Sequence, residues 1–249
     1  MGHPPDGIVL CGGAGLRLRS VIGDAPKAMA SIGGRPFLEI LLSQLARHGM
    51  ERVILAVGYR QDVIRAHFGE RAFGLRLFYS PEESPLGTGG ALRNAANVIE
   101  SDSVLMMNGD SYADADLSQF IREYHEAKAD VSLVAIPPDG RGDCGSVLVG
   151  MDGNVIQFAE KEGVSTAAYF NAGIYMMSRR LVQEIPAAME LSLERDLFPQ
   201  WLNEGRQIKA FVYSGTCIDI GTPDRFERAQ AILESVETEM GISKGEFQI

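Results

Sequence analysis

Apolar and polar positions alternate along this chain with two periods. Ile8–Cys11 is an unbroken apolar run, the mark of a strand buried on both faces. Phe37, Leu38, Leu41, Leu42 and Leu45 then repeat at helical spacing over Phe37–Arg47, and Gly49 closes that stripe. The alternation continues with a strand at Arg52–Val57, a short helix at Gln61–Phe68 stopped by Gly69, and a strand at Leu75–Tyr79. Ala91–Ile99 reads as helix, Val104–Met107 as strand, Leu117–Ala127 as an amphipathic helix and Val131–Ile136 as a fifth strand. Strands that alternate with helices predict a mostly parallel sheet covered on both faces. In such sheets ligands bind beyond the carboxyl ends of the strands. Cys11, Tyr79 and Met107 all end strands there, and each is followed by a polar or glycine-rich turn.

The second half changes character. Gly145–Val149, Asn154–Phe158 and Tyr169–Met177 read as strands, with Asp152-Gly153 as a hairpin turn. Ser178–Ile185 and Glu194–Asn203 read as helices, the second interrupted by Pro199, and Ile208–Tyr213 reads as a strand. Thr222-Pro223-Asp224 opens a last helix to about Glu239, with Thr as N-cap and Pro at the first helical position. Pro137–Gly145 and Glu162–Ala168 are loop-like, and no repeat, long linker or low-complexity segment divides the chain. The expectation is one domain over residues 1–240 with halves at about 7–136 and 137–240, the second adding a substrate-facing layer, and 241–249 as a tail.

Composition narrows the function classes. The 249 residues carry a net charge of −10, which opposes a nucleic-acid partner but not a small anion held by a few local cations. No apolar run is long enough to cross a membrane and no signal-peptide pattern opens the chain, so a cytoplasmic protein is expected. Cys11, Cys144 and Cys217 suggest neither a disulfide framework nor a zinc knuckle, and the four histidines share no ligand spacing. The helical surfaces show no decisive apolar stripe, so a homodimer stays open.

The chemistry begins at Gly12-Gly13-Ala14-Gly15-Leu16-Arg17, with Pro26-Lys27 after it. Glycines let backbone N–H groups approach a ligand, and two cations within reach suit a polyphosphate. The stretch lacks the Gly-Lys-Ser/Thr ending of a P-loop and the spacing of a dinucleotide fingerprint. Asp110, after Asn108-Gly109, and Asp219, before Ile220-Gly221, each follow a short apolar strand, and together they could share a Mg²⁺. Either aspartate alone reads more simply as a turn residue. Pro85-Leu86-Gly87-Thr88-Gly89-Gly90 is a second glycine-rich turn, against which a nucleobase or ribose could lie. Glu82 just upstream could accept from the two adjacent donors that guanine alone offers. Lys161 follows a strand in Glu160-Lys161, where a solvated pair is the commoner reading, and Asn171 and Gly173 interrupt a strongly apolar strand. Asp114-Ala115-Asp116 matches the short metal–nucleotide pattern of many glycosyltransferases, but reads better as an acidic lead-in to the helix at Leu117.

Taken together and in this order, these motifs resemble the sugar-1-phosphate nucleotidyltransferases over about Ile8 to Ala229. The stretches Gly23-Asp24-Ala25-Pro26-Lys27-Ala28-Met29-Ala30 and Ser84-Pro85-Leu86-Gly87-Thr88-Gly89-Gly90-Ala91 are most similar to the D-glycero-α-D-manno-heptose 1-phosphate guanylyltransferases of bacterial surface-polysaccharide synthesis. The resemblance implies an α/β, Rossmann-like three-layer sandwich with a mixed, mainly parallel sheet. It implies that GTP and a sugar 1-phosphate are the substrates and Mg²⁺ the cofactor. Arg17 would hold the β- and γ-phosphates, Lys27 would bridge the α-phosphate, and Asp110 and Asp219 would bind the metal. Leu10, Gly12, Gly13, Ala14, Gly15, Glu82, Pro85, Gly87, Thr88 and Gly109 would form the nucleotide site. Lys161 would seat the sugar phosphate, with Glu160, Asn171 and Gly173 beside it. Leu16 stands where many relatives carry threonine, and Lys161 is not followed by their proline. The alternatives are a mannose-1-phosphate guanylyltransferase, a glucose-1-phosphate thymidylyl- or uridylyltransferase, a glycosyltransferase using Asp114 and Asp116, and a non-catalytic nucleotide-sugar sensor.

Overall fold

The computed structural model describes residues 4–137, 145–159 and 169–239. β1 (Asp6–Leu10) runs into the glycine-rich loop, a single 3-10 turn at Leu16–Leu18 and the short α1 (Arg19–Ile22). A small hairpin of β2 (Ser31–Ile32) and β3 (Arg35–Pro36) precedes α2 (Phe37–Arg47), β4 (Arg52–Val57) and α3 (Gln61–Phe68). β5 (Arg71–Ala72), β6 (Leu75–Pro81), α4 (Gly87–Asn94), β7 (Ser103–Asn108), β8 (Ser111–Ala113), α5 (Leu117–Ala127) and β9 (Val131–Ile136) follow. The second half adds β10 (Ser146–Val149), β11 (Val155–Ala159), β12 (Tyr169–Ser178) and α6 (Arg179–Glu184). A π-type turn at Leu193–Leu197 then leads into α7 (Phe198–Asn203), β13 (Ile208–Val212), β14 (Cys217–Asp219) and α8 (Pro223–Glu239).

One sheet carries strands from both halves, in the order β11-β10-β12-β7-β1-β4-β6-β5, with β9 joining β12 to β13. β7, β1, β4 and β6 run parallel, whereas β12 is antiparallel to both β7 and β9. The fold is therefore the mixed, Rossmann-like sandwich expected, with its antiparallel pairs concentrated in the second half. Alternate side chains feed the two faces. Val9, Val53 and Leu55 pack with the buried residues of α2, α5 and α8, while Ile8, Ile54 and Met106 pack with those of α4, α6 and α7.

α2, β4, α3, α5 and β9 stand at the bounds their periodicity predicts. α4 begins at Gly87 rather than Ala91, so the second glycine-rich turn is itself the first turn of a helix. The helix expected over Glu194–Asn203 is divided into the π-type turn and α7, and Pro199 falls in the first turn of α7, where no N–H is required. Ser178 caps α6 as its residue type suggests, its hydroxyl accepting the Leu181 N–H at 3.1 Å.

A buried ion pair pins the amino end of the sheet. Asp6 and Arg52 are 2% and 8% exposed, and Arg52 Nε donates to Asp6 Oδ1 at 3.1 Å. Asp6 Oδ2 also accepts the Glu100 N–H at 2.7 Å, and the Arg52 guanidinium lies 3.9 Å over the Phe78 ring. Removing Asp6 leaves the buried Arg52 guanidinium with the largely exposed Glu100 carboxylate, 3.1 Å away, as a weaker counter-charge. Asp6→Ala is accordingly expected to lower the unfolding free energy by about 3 kcal/mol in urea denaturation at pH 7.

Candidate active site

The chain runs outward from β1 to β4 and β6, then returns to β7 on the other side of β1. Connections that diverge in this way leave a crevice beyond the strand ends. A cavity of about 620 Å³ occupies it. Leu10, Gly12, Gly13 and Ala14 line it from the loop after β1, and Lys27 and Asp110 face one another within it. Glu82, Pro85, Gly87 and Thr88 line it from the connection after β6, and Asn108 and Gly109 from the end of β7. Gly15 and Arg17 are not among the lining residues. Gly15 opens the 3-10 turn with φ +60°, and Arg17 is exposed on that turn, without an ion-pair partner among the described residues.

The next arginine is tied down. Arg19 Nη2 donates to Asp24 Oδ1 at 3.0 Å and to the Tyr59 hydroxyl at 2.9 Å, and Arg60 Nη1 donates to Asp24 Oδ2 at 2.6 Å. Hydrogen bonds from the Tyr59 hydroxyl, Arg19 and Arg60 hold the Asp24 carboxyl down to about 2. Tyr59 N–H also donates to Gly12 O at 3.1 Å, so the loop after β1 is braced against the loop after β4. Of these two arginines, Arg17 is the one without an ion-pair partner among the described residues.

Lys27 Nζ lies 2.5 Å from Asp110 Oδ2, with the two side chains 13% and 34% exposed. β8 and β14 pair Ser111 with Asp219, and Ile220 N–H donates to Asp110 O at 3.0 Å, so the two predicted metal ligands stand on adjoining chain segments. Asp219 Oδ1 accepts from Arg225 and from Gly221 N–H, each at 2.7 Å. Asp219 does not line the cavity. Among the described residues no group of three His, Cys, Asp or Glu could enclose a metal. Two hard carboxylates fit Mg²⁺, which takes few protein oxygens and completes its shell with phosphate and water.

Glu82 is half-buried beneath the glycine loop, its Oε1 2.9 Å from where a Cβ on Gly12 would sit. Leu86 N–H donates to Oε2 at 3.1 Å. Burial raises its carboxyl above the ordinary glutamate range, and the Leu86 hydrogen bond opposes that shift. Burial, with the Glu82 charge adding to it, also pushes the neighbouring Cys11 thiol far up.

Glycines in the turns after β6 and β7 have a packing reason. A Cβ on Gly109 would lie 2.3 Å from Leu10 O, because Gly109 N–H donates to that carbonyl. A Cβ on Gly90 would lie 2.3 Å from Met189 O, where residues 189–191 cross the first turn of α4. Leu191 O accepts from Gly89 and Gly90 N–H at 2.8 and 3.3 Å. Those two amides are thus taken up by protein, not offered to a base edge.

Asn171 and Gly173 do not line the cavity. Asn171 Nδ2 donates to the Tyr175 hydroxyl at 2.7 Å, and Asn171 Oδ1 accepts Gly173 N–H at 3.1 Å within the irregular stretch of the β12–β9 ladder. Glu160 and Lys161 lie outside the described residues. Asp116 is a helix cap, its carboxylate accepting Gln119 N–H at 2.9 Å, and Asp114 accepts from Tyr112. Neither lines the cavity, which removes the geometric support for a metal at that pair. Sequence reasoning missed Gly58 and Tyr59, which line the cavity after β4. The signal was present, since Val57 ends a strand before Gly58 at the same sheet edge as the ends of β1 and β6.

The comparisons agree with this geometry. The chain is 34% identical over 229 residues to a D-glycero-α-D-manno-heptose 1-phosphate guanylyltransferase of Aneurinibacillus thermoaerophilus, covering 92% of this chain and 98% of that one. It is 38% identical over 233 residues to a mannose-1-phosphate guanylyltransferase of Mycobacterium tuberculosis, covering 93% of this chain but spanning 65% of the length of that relative. Crystal structures of HddC from Yersinia pseudotuberculosis, alone and complexed with GMP-PN, superpose with TM-scores of 0.82 and 0.81 at 32% identity, covering 92% of this chain and all of HddC. The nucleotidyl transferase family model matches residues 6–236, and by that match, the relatives and the cavity beyond β1 and β7, the chain belongs to the nucleotidyl transferase family.

Proposed function

We propose that this protein makes GDP-D-glycero-α-D-manno-heptose and pyrophosphate from GTP and the heptose 1-phosphate. The observation that carries the reading is one cavity lined by a carboxylate suited to guanine, Glu82, and by the Lys27–Asp110 pair suited to phosphate. The heptose specificity is supported by the relative that this chain matches over nearly its full length. We take residues 1–240 as one catalytic unit, a reading supported by the single sheet that carries strands of both halves.

In this reading an oxygen of the sugar 1-phosphate attacks the α-phosphorus in line and pyrophosphate leaves, with no covalent enzyme intermediate. The protein's work is positioning and charge neutralisation. Backbone of Gly12 to Gly15 receives the phosphates, Arg17 draws charge toward the leaving β- and γ-phosphates, and Lys27 neutralises the α-phosphate. Asp110 and Asp219 would hold Mg²⁺, which when bound offsets phosphate charge. Lys161, by resemblance, seats the sugar phosphate, with Glu160, Asn171 and Gly173 on that side.

A panel of GTP, ATP, UTP, CTP and dTTP against heptose, mannose and glucose 1-phosphates, followed by pyrophosphate release, tests the reading. GTP with the heptose 1-phosphate is expected to be fastest. Faster turnover of UTP or dTTP would overturn the base assignment, and faster turnover of mannose 1-phosphate would overturn the sugar assignment.

Glu82→Gln should act in two directions at once. It removes a charge-assisted acceptor for guanine, so kcat/KM for GTP is expected to fall roughly 10- to 100-fold. It also removes a desolvated carboxylate from the unliganded protein. A carboxyl raised in the fold binds its proton more tightly there than in the unfolded chain, so the native state loses stability as pH rises from the ordinary glutamate range through the raised value. Glu82→Gln should therefore melt above wild type at pH 7, with the gap closing below pH of about 4.

A further inference from the structure

Glu194 sits in the π-type turn between α6 and α7, a segment with no part in the mechanism above. Its carboxylate gathers three hydroxyls. Tyr175 donates to Oε1 at 2.8 Å, while Thr88 and Ser192 donate to Oε2, each at 2.9 Å. Tyr175 is fully buried and receives the Asn171 Nδ2 hydrogen bond on its other side. Asn171 Oδ1 in turn holds Gly173 N–H, and a Cβ on Gly173 would lie 2.7 Å from Asn108 Nδ2. On the opposite arm Thr88 lines the cavity, and its hydroxyl accepts Leu193 N–H at 2.7 Å. The connected set thus runs from the nucleotide-side turn, through Glu194, to the bulge of β12 that packs on the Asn108–Asp110 turn.

We propose that Glu194 is a positioning residue that locks the turn at Thr88 to the bulge at Asn171–Gly173, fixing the two halves of the site in the spacing that in-line attack requires. The proposal rests on the nucleotidyl-transfer reading and deepens it. Wide π-type turns concentrate at functional sites, because the extra residue redirects side chains. A carboxylate serving three O–H donors has no neutral replacement, since a glutamine at this position turns one acceptor into a donor. Burial and the Glu194 charge both raise the Tyr175 phenol well above its ordinary value, so it stays a donor throughout the working pH range. Misplacement by about 1 Å of groups that must align can cost roughly 100-fold in rate.

The test compares wild type, Glu194→Gln, Tyr175→Phe and the double variant, using the substrate pair that wild type turns over fastest. Calorimetric titration with a non-cleavable α,β-methylene analogue of that nucleotide gives the fraction of binding-competent protein. Glu194→Gln is expected to bind the analogue with unchanged stoichiometry and affinity within about 3-fold, while kcat falls roughly 30- to 100-fold. The double variant is expected to be no slower than Glu194→Gln alone, because both changes cut the same link. A kcat per competent site equal to wild type would overturn the proposal, as would multiplicative losses in the double variant. Failure of wild type to use GTP would sink the guanylyl reading instead, and the Glu194 comparison would still be decided with the nucleotide it does use.

Discussion

Asp110→Asn is expected to lower the rate of pyrophosphate release by about 10³-fold while leaving the fold intact. The substitution keeps the shape of the side chain and removes its charge. Two consequences coincide at one atom. Oδ2 is 2.5 Å from Lys27 Nζ, so the ammonium loses the counter-charge that holds it in the cavity. The site also loses one of two carboxylates proposed to hold Mg²⁺. The backbone role is untouched, because Ile220 N–H donates to the Asp110 carbonyl and not to its side chain. Initial rates at saturating GTP, set beside a melting curve, separate the effects. A large loss of kcat with an unchanged melting temperature is the outcome expected, and a variant within 10-fold of wild type would remove Asp110 from the mechanism.

Arg17→Ala should cost about 10²- to 10³-fold in kcat, the range for removing a positioned group that stabilises transition-state charge. The structural contrast with Arg19 makes the prediction sharp. Arg19 is engaged by Asp24 and Tyr59, so its loss would loosen the loop, whereas Arg17 has no ion-pair partner among the described residues. Arg17→Ala should therefore leave the melting temperature at the wild-type value and weaken product inhibition by pyrophosphate. Arg17→Lys should recover only part of the rate, because a point charge replaces a fork that can grip two phosphate oxygens. Unchanged kcat and unchanged pyrophosphate inhibition in Arg17→Ala would place the leaving group elsewhere.

The parts of this fold that were legible in the sequence are those with a long, unambiguous period. α2 and α5 each carry an apolar stripe at helical spacing, and β4 and β9 are runs of mostly apolar residues buried throughout, so their bounds follow from pattern alone. The strand-end rule likewise located Glu82, Asp110 and the glycine loop in one cavity. Three-residue strands carry no period, which is why β8 passed unseen although it sets Ser111 beside Asp219, at the end of the short strand that the sequence did show. α4 was read four residues late because four residues with three glycines resemble a loop. Their glycines answer to residues 189–191, about a hundred positions away, and no local pattern records that crossing. Glu194 was illegible for the same reason, since its partner Thr88 is 106 positions distant.

Attack at the α-phosphorus is the central claim, and the fate of label in GTP tests it most directly. Wild-type protein would be supplied with the heptose 1-phosphate, Mg²⁺ and GTP labelled at either the α- or the γ-phosphate, and the products separated. The expected result is α-label in the nucleotide sugar and γ-label in pyrophosphate. Transfer of γ-label to the sugar phosphate, or its release as orthophosphate with GDP left behind, would contradict it.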